Sequence, residues 1–143
     1  MTATIVEKSV WIDAPARKVW EILVSPDAWT DWMLVVPDAR DTDTLQAGSR
    51  GFWQDTTGLV YLTGTVTVLE PERRFVLELH GADWPRPALP AEVTYGFTLS
   101  ESAGRTLLQF RLGDLSIDPD AREWRNAYEQ AQELEIIKRM AEA

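Results

Sequence analysis

The sequence predicts an α+β chain: a curved antiparallel sheet wrapped around a long C-terminal helix, with two short helices after the first strand. Three observations predict it. The N-terminal segment alternates apolar and polar residues with a period of two. Five further runs of strand composition follow at hairpin spacing, separated by turn residues. From Asp118 onward the period changes to that of an amphipathic helix.

Residues 4–12, TIVEKSVWI, place Val6, Val10 and Ile12 in one phase and Glu7 and Ser9 in the other, the pattern of a half-buried strand. Asp13 is the N-cap candidate of the next helix, and Pro15 sits in its first turn, where a missing N–H costs little. Val19, Trp20 and Leu23 share one face of that helix. Ser25-Pro26-Asp27 ends it and starts a second short helix carrying Trp29 and Trp32. Polarity then rises through PDARDTDTLQAGSR, which reads as a loop or a weak edge strand.

The runs GFWQD, LVYLTGTVTVL, FVLELH, EVTYGFTLS and RTLLQFRLGDL are punctuated by Thr57-Gly58, EPERR, GADWPRPALP and ESAG. No proline interrupts any of them, so all can be paired strands of one meander. After Pro119 or Asp120, the segment AREWRNAYEQAQELEIIKRMAEA contains neither Gly nor Pro. Trp124, Ala127, Tyr128, Ala131, Leu134 and Ile137 form one apolar stripe, with Arg125, Glu129, Gln132 and Glu133 on the opposite face. Such a helix needs an apolar surface to lie on, and the concave face of the meander is the candidate.

At 143 residues the chain is expected to be one domain, 1–143, large enough to bury a core. No apolar run approaches the roughly 18 to 20 residues that span a bilayer, and MTATIVEKSV lacks the blocks of a signal peptide. A cytoplasmic protein without membrane insertion is therefore expected. With no cysteine, disulfides, thiolate catalysis and Cys-ligated metals are excluded. A net charge of −9 disfavours nucleic acid and anionic lipid surfaces as partners. The unusual total is seven tryptophans, which build either a core of large residues or a cavity walled with indoles.

The order of elements, together with IDAPARKVWEIL and DAWTDW, then LQAGSR, then GTVTVLEPERRFVLEL, resembles the helix-grip superfamily of START and birch-pollen-allergen-like domains, often called SRPBCC. The likeness is nearest to its bacterial polyketide cyclase/dehydrase and lipid-transport branch and covers nearly the whole chain. It implies a helix-grip fold with a cavity between the sheet and the long helix. It implies less about activity, because this superfamily places different functions on one scaffold.

Alternation assigns the side chains that face such a cavity. Leu62, Val66 and Val68 point inward, with Thr65 and Thr67 outward. Phe75, Leu77 and Leu79 follow, then Val93, Tyr95, Phe97 and Leu99, then Leu108, Phe110 and Leu112. Matching LQAGSR to its family counterpart puts Trp53 and Asp55 inward. Trp124 and Tyr128 face the sheet from the helix, and Trp32 closes one end. The candidate ligand-binding set is Trp32, Trp53, Leu62, Leu77, Tyr95, Phe97, Phe110, Trp124 and Tyr128. Packing of a helix on a sheet buries these same residues with or without a hole between them. The loop HGADWPRPALP is long for a hairpin connection. Its Trp84 is a candidate lid, the alternative being simple packing over the sheet edge.

Chemistry has few carriers. His80, the only histidine, is out of phase with Leu77 and Leu79 and is expected at the surface. No metal-binding, P-loop or dinucleotide motif occurs, and neither a metal nor a cofactor is expected. An inward Asp55 would be a base of raised pKa, but beside Thr56, Thr57 and Gly58 a turn aspartate is the favoured reading. Arg111 reads as a surface charge. Tyr95 and Tyr128 can orient a phenol or a carbonyl.

The expected function is binding of a small hydrophobic molecule of the aromatic polyketide, lipid or quinone class, by a monomer or homodimer. One alternative is a polyketide aromatase/cyclase that catalyses aldol closure and dehydration. Another, suggested by the resemblance, is a co-chaperone-like regulator of a protein partner, for which no exposed apolar patch is evident.

Overall fold

The computed structural model describes residues 3–39 and 44–143. Six strands form one antiparallel sheet in the order β1-β6-β5-β4-β3-β2, from β1 (Val6–Ile12), β2 (Arg50–Gln54), β3 (Val60–Glu70), β4 (Arg74–Gly81), β5 (Thr94–Ser102) and β6 (Arg105–Gly113). Between β1 and β2 lie α1 (Ala16–Leu23), a 3-10 turn (Pro26–Ala28) and α2 (Trp29–Trp32). The chain ends in α3 (Ala121–Gln130) and α4 (Glu133–Glu142). This is the α+β helix-grip architecture that the sequence predicts. Only β2 to β6 run as a meander. β1 joins the far side, pairing with β6 in continuous register from Val6↔Leu112 to Ile12↔Thr106.

Local chemistry explains each joint. β5 and β6 turn through Ala103 and Gly104, both at positive φ, which suits a two-residue hairpin because that backbone twist matches the strands. α1 begins after Pro15, whose φ of −70° is already helical. Asp13 does not cap it. The cap comes from elsewhere: Glu101 accepts the Ala16 N–H at 2.6 Å, and Glu142 accepts the Asp13 N–H at 2.8 Å. Val19 and Leu23 are fully buried while Trp20 is half-buried, so α1 sits on the sheet by the expected face.

Two bulges break the simple alternation. Trp53 pairs with Leu62 but Gln54 pairs with Val60, which leaves Tyr61 as the extra residue. Val66 pairs with Leu77 but Val68 pairs with Val76, which leaves Thr67 extra. Paired residues share a face. Val68 therefore lies on the outer face with Val76, which corrects the expectation that Val66 and Val68 share a phase, and Leu69 turns inward opposite Phe75.

The C-terminal helical segment covers the expected residues but is interrupted. Ala131 is extended, at φ −66° and ψ 150°, without help from Gly or Pro. A side chain of β1 meets it there. Lys8 lies in phase with Val6, Val10 and Ile12, and its ammonium donates to the carbonyls of Ala131 at 2.5 Å and Tyr128 at 3.3 Å. A cation on the last carbonyls of α3 satisfies acceptors that the helix leaves open, and it complements the helix dipole. Ala127, expected in the apolar stripe, is exposed even before the break. Beyond it Leu134 and Ile137 are buried as expected, but Glu133, expected on the polar face, is buried as well, at 3% exposure. Leu134, Ile137 and Ala141 then carry α4 against β1, α1 and α2.

The loop or weak edge strand expected over 37–50 falls partly on 40–43, outside the described residues. On its near side Asp38 exchanges two backbone hydrogen bonds with Phe52. No described helix is long and apolar enough to cross a membrane.

Candidate functional site

A cavity opens where one end of the sheet meets α3. Strands β2 and β3 supply Trp53, Tyr61 and Leu62, β4 supplies Leu79, β5 and β6 supply Tyr95 and Leu112, and α3 supplies Trp124 and Tyr128. Val35, Trp84, Leu115 and Asp118 complete the wall from loops. All three tyrosines of the chain and three of its seven tryptophans meet here. The space between atom surfaces is about 450 Å³ with the mouth included, yet the centre of a water-sized molecule can range over only about 30 Å³. That is room for roughly two waters. The large cavity that the indole count suggested is thus nearly closed by its own side chains.

Two glycines make the indoles fit. At Gly64 a Cβ would stand 2.9 Å from the Trp53 ring, so the bare backbone lets Trp53 lie across β3. Trp53 also donates its indole N–H to the Val35 carbonyl at 3.1 Å. At Gly81 a Cβ would stand 2.2 Å from Nε1 of Trp84. The Trp84 ring folds back over that position and donates to Asp118 Oδ2 at 3.0 Å. Its loop is clamped from outside by Arg86, which makes two hydrogen bonds to Glu92 of 2.8 and 2.6 Å. That guanidinium holds the Glu92 carboxyl down to about 2. Trp84 is therefore not exposed: it is buried against the sheet end and forms part of the cavity wall.

Of the sequence-chosen residues, Trp53, Leu62, Tyr95, Trp124, Tyr128 and Trp84 are in the wall. Trp32, Leu77, Phe97 and Phe110 are not. They pack in the core beside it, for a physical reason: one aromatic chain fills the concave face. Trp32 meets Phe97 edge-on at 5.6 Å, Phe97 meets Phe110 at 5.2 Å, and Tyr95 meets both at 5.5 and 5.1 Å. Trp32 is 1% exposed and donates to the Ile22 carbonyl, and Trp29 donates to Leu23 at 2.8 Å. The tryptophans after α1 are thus a clasp. Asp55 points outward, which corrects the placement taken from the family match. Its carboxylate accepts from the Thr57 hydroxyl and from the Thr57 and Leu59 N–H groups, and these bonds hold its pKa down. His80 is at the surface near Glu78, and Arg111 is also exposed.

The sequence reading missed Glu133. Its Oε1 accepts the Tyr95 hydroxyl at 2.9 Å and its Oε2 accepts the Leu34 N–H at 2.7 Å. Burial pushes this carboxyl up to about 7, against the opposing pull of those two hydrogen bonds and of Lys8. Burial also raises Tyr95 and Tyr128, and the nearby Glu133 adds to both. One signal was available: Lys8 shares the buried parity of β1, and a cation there asks for acceptors across the core. The cavity thus has mostly apolar walls and one buried acid–hydroxyl pair, with Tyr95 in the wall and Glu133 behind it. Among the described residues no His, Asp or Glu cluster is arranged to hold a metal.

Comparison with known proteins follows the fold. The family model described as Activator of Hsp90 ATPase homolog 1-like protein matches residues 13–141. Among solved structures, protein MLL2253 from Mesorhizobium loti has a TM-score of 0.71 at 20% identity, with 95% of each chain covered. The Aha1 protein from Colwellia psychrerythraea, solved as a dimer, has a TM-score of 0.68 at 18% identity, with 99% of this chain and 97% of that one covered. DynU16, a protein of the dynemicin biosynthetic locus, has a TM-score of 0.67 at 16% identity, and 96% of this chain matches 47% of it. At these identities the structures show a shared fold. No curated protein matches the sequence.

Proposed function

The chain belongs to the family of proteins like activator of Hsp90 ATPase homolog 1, within the superfamily its sequence resembled, and on that premise we propose that it binds a small, flat hydrophobic molecule of the aromatic polyketide, lipid or quinone class in the cavity beside α3. One observation carries the reading: three indoles and every tyrosine of the chain converge on one opening. Apolar walls with a few placed polar groups are what small-molecule sites use. In this reading Trp84 is the lid, which its bond to Asp118 and its place in the wall support. A ligand larger than two waters enters when the indole leaves Asp118 and its loop swings out, with Arg86 and Glu92 keeping the loop together as a unit.

Native mass spectrometry tests this with an anthraquinone, a naphthoquinone and a long-chain fatty acid as probes. A one-to-one adduct with at least one probe is expected, weakened about tenfold or more by Trp124→Ala. A bare chain mass with all three contradicts it. A second reading, acid–base catalysis on the same ligand, draws support from Glu133 behind the wall. It predicts cyclisation of a poly-β-ketone chain that Glu133→Gln abolishes. Regulation of a protein partner draws on the family description alone. The Colwellia relative makes a homodimer the assembly to test, by sedimentation.

A further inference from the structure

We propose that Tyr95 and Glu133 make the cavity a proton-linked receptor for a carbonyl group: the Tyr95 hydroxyl binds a ketone or quinone oxygen only when Glu133 carries a proton. The proposal rests on the cavity being the ligand site, and it names the ligand chemistry of that site.

The argument is a count of donors. Tyr95 stands in the cavity wall, its ring held between Phe97, Phe110 and Tyr128. Its hydroxyl has one proton, and that proton now points to Glu133 Oε1 at 2.9 Å. A charged carboxylate is the strongest acceptor within reach. While Glu133 is ionised, the tyrosine offers a ligand only lone pairs, and a carbonyl oxygen there finds no donor.

The second carboxylate oxygen decides what protonation does. Oε2 receives the Leu34 N–H at 2.7 Å, so it serves as the acceptor. The proton of the neutral acid therefore sits on Oε1, the oxygen that faces the Tyr95 hydroxyl. Glu133 then donates to Tyr95, and the tyrosine proton is released toward the cavity. The change balances as one solvent proton taken up by the Glu133 carboxylate, with no bond broken in the ligand.

The groups facing Glu133 place the switch in an accessible range. Lys8 on β1 favours the charged form, but its ammonium is spent on the Tyr128 and Ala131 carbonyls. Tyr95 on β5 and the Leu34 N–H also favour the charged form, while burial opposes it, and Tyr128 on α3 lies close enough to be coupled. The balance lies near 7. An alcohol in place of the carbonyl donates to the Tyr95 oxygen and needs no proton on Glu133.

The test compares 1-tetralone with 1-tetralol, which share a carbon frame and differ in C=O against C–OH. With the wild-type protein, Kd for 1-tetralone is expected to weaken about tenfold per pH unit above pH 7.5, while Kd for 1-tetralol changes less than about threefold. Calorimetry at pH 8 in two buffers of different ionisation enthalpy is expected to show uptake approaching one proton per 1-tetralone. Glu133→Gln, whose amide donates to Tyr95 at every pH, removes the slope and holds Kd at its low-pH value. Binding of 1-tetralone with no pH slope and no proton uptake overturns the proposal and leaves the cavity reading intact. Binding of neither compound at any pH overturns both.

Discussion

Burial of Glu133 gives the fold a pH dependence of unusual sign. Its carboxyl moves from an ordinary 4.5 to about 7 on folding. Below 4.5 both states hold the proton and nothing is gained or lost. Between 4.5 and 7 the unfolded chain has released its proton and the folded chain has not, so stability falls as pH rises. Above 7 the deficit is constant, about 3 kcal/mol at about 1.4 kcal/mol for each tenfold. Asp55, Asp114, Glu92 and Glu142 act oppositely: their pKa values are lowered on folding, so their contribution is present at neutral pH and fades in acid. Maximum stability is therefore expected near pH 5. Glu133→Gln keeps an acceptor for Leu34 and a donor for Tyr95 without a charge to bury. Urea unfolding of both proteins from pH 4 to pH 8.5 is the assay. The variant is expected to gain on wild type by about 3 kcal/mol across that range, a midpoint shift of about 1.5 M at a slope of about 2 kcal/mol per M. Two curves that stay parallel within about 0.5 kcal/mol would refute the reasoning.

Gly81→Ala sets a methyl against Nε1 of Trp84, so the indole must leave its place; a loss of about 1–3 kcal/mol is expected by thermal melting, with a red shift in tryptophan emission. Lys8→Met uncovers the last carbonyls of α3 and removes the cation beside Glu133. It is expected to cost about 1–2 kcal/mol and to move the Glu133 titration upward by carbon-13 NMR. Trp32→Ala removes a core ring and is expected to cost about 3–5 kcal/mol while leaving Trp84 on Asp118. Asp55→Asn touches only an exposed turn and is expected to leave ligand affinity within about twofold, as measured by fluorescence titration.

The sheet was legible because its strands obey a two-residue period and its turns carry their own residues. The Trp29 and Trp32 clasp was legible for the same kind of reason, with Ser25-Pro26-Asp27 punctuating the helices. Part of the site was not. The bulge at Tyr61 adds a residue that alternation cannot count, so the tyrosine at the cavity wall went unseen. Glu133 was hidden by a helix break that no Gly or Pro announces. The carbonyls at the break are met by Lys8, more than 120 residues away in sequence, and extending the α3 period through Ala131 puts Glu133 on the wrong face. Trp32, Leu77, Phe97 and Phe110 were correctly read as inward, but inward in this fold means core as often as cavity. Which it is depends on how the rings pack together, and that is a property of the assembled face rather than of any one strand.

The central claim is that the space beside α3 receives a ligand, and the seven indoles report on it directly. In a nitrogen-15 NMR titration with an anthraquinone, the indole N–H resonances of Trp53, Trp84 and Trp124 are expected to move together. Those of Trp29 and Trp32 in the clasp, and of Trp11 and Trp20 away from the cavity wall, are expected to stay. Movement confined to Trp11 and Trp20, or no movement at saturating probe, would contradict the account.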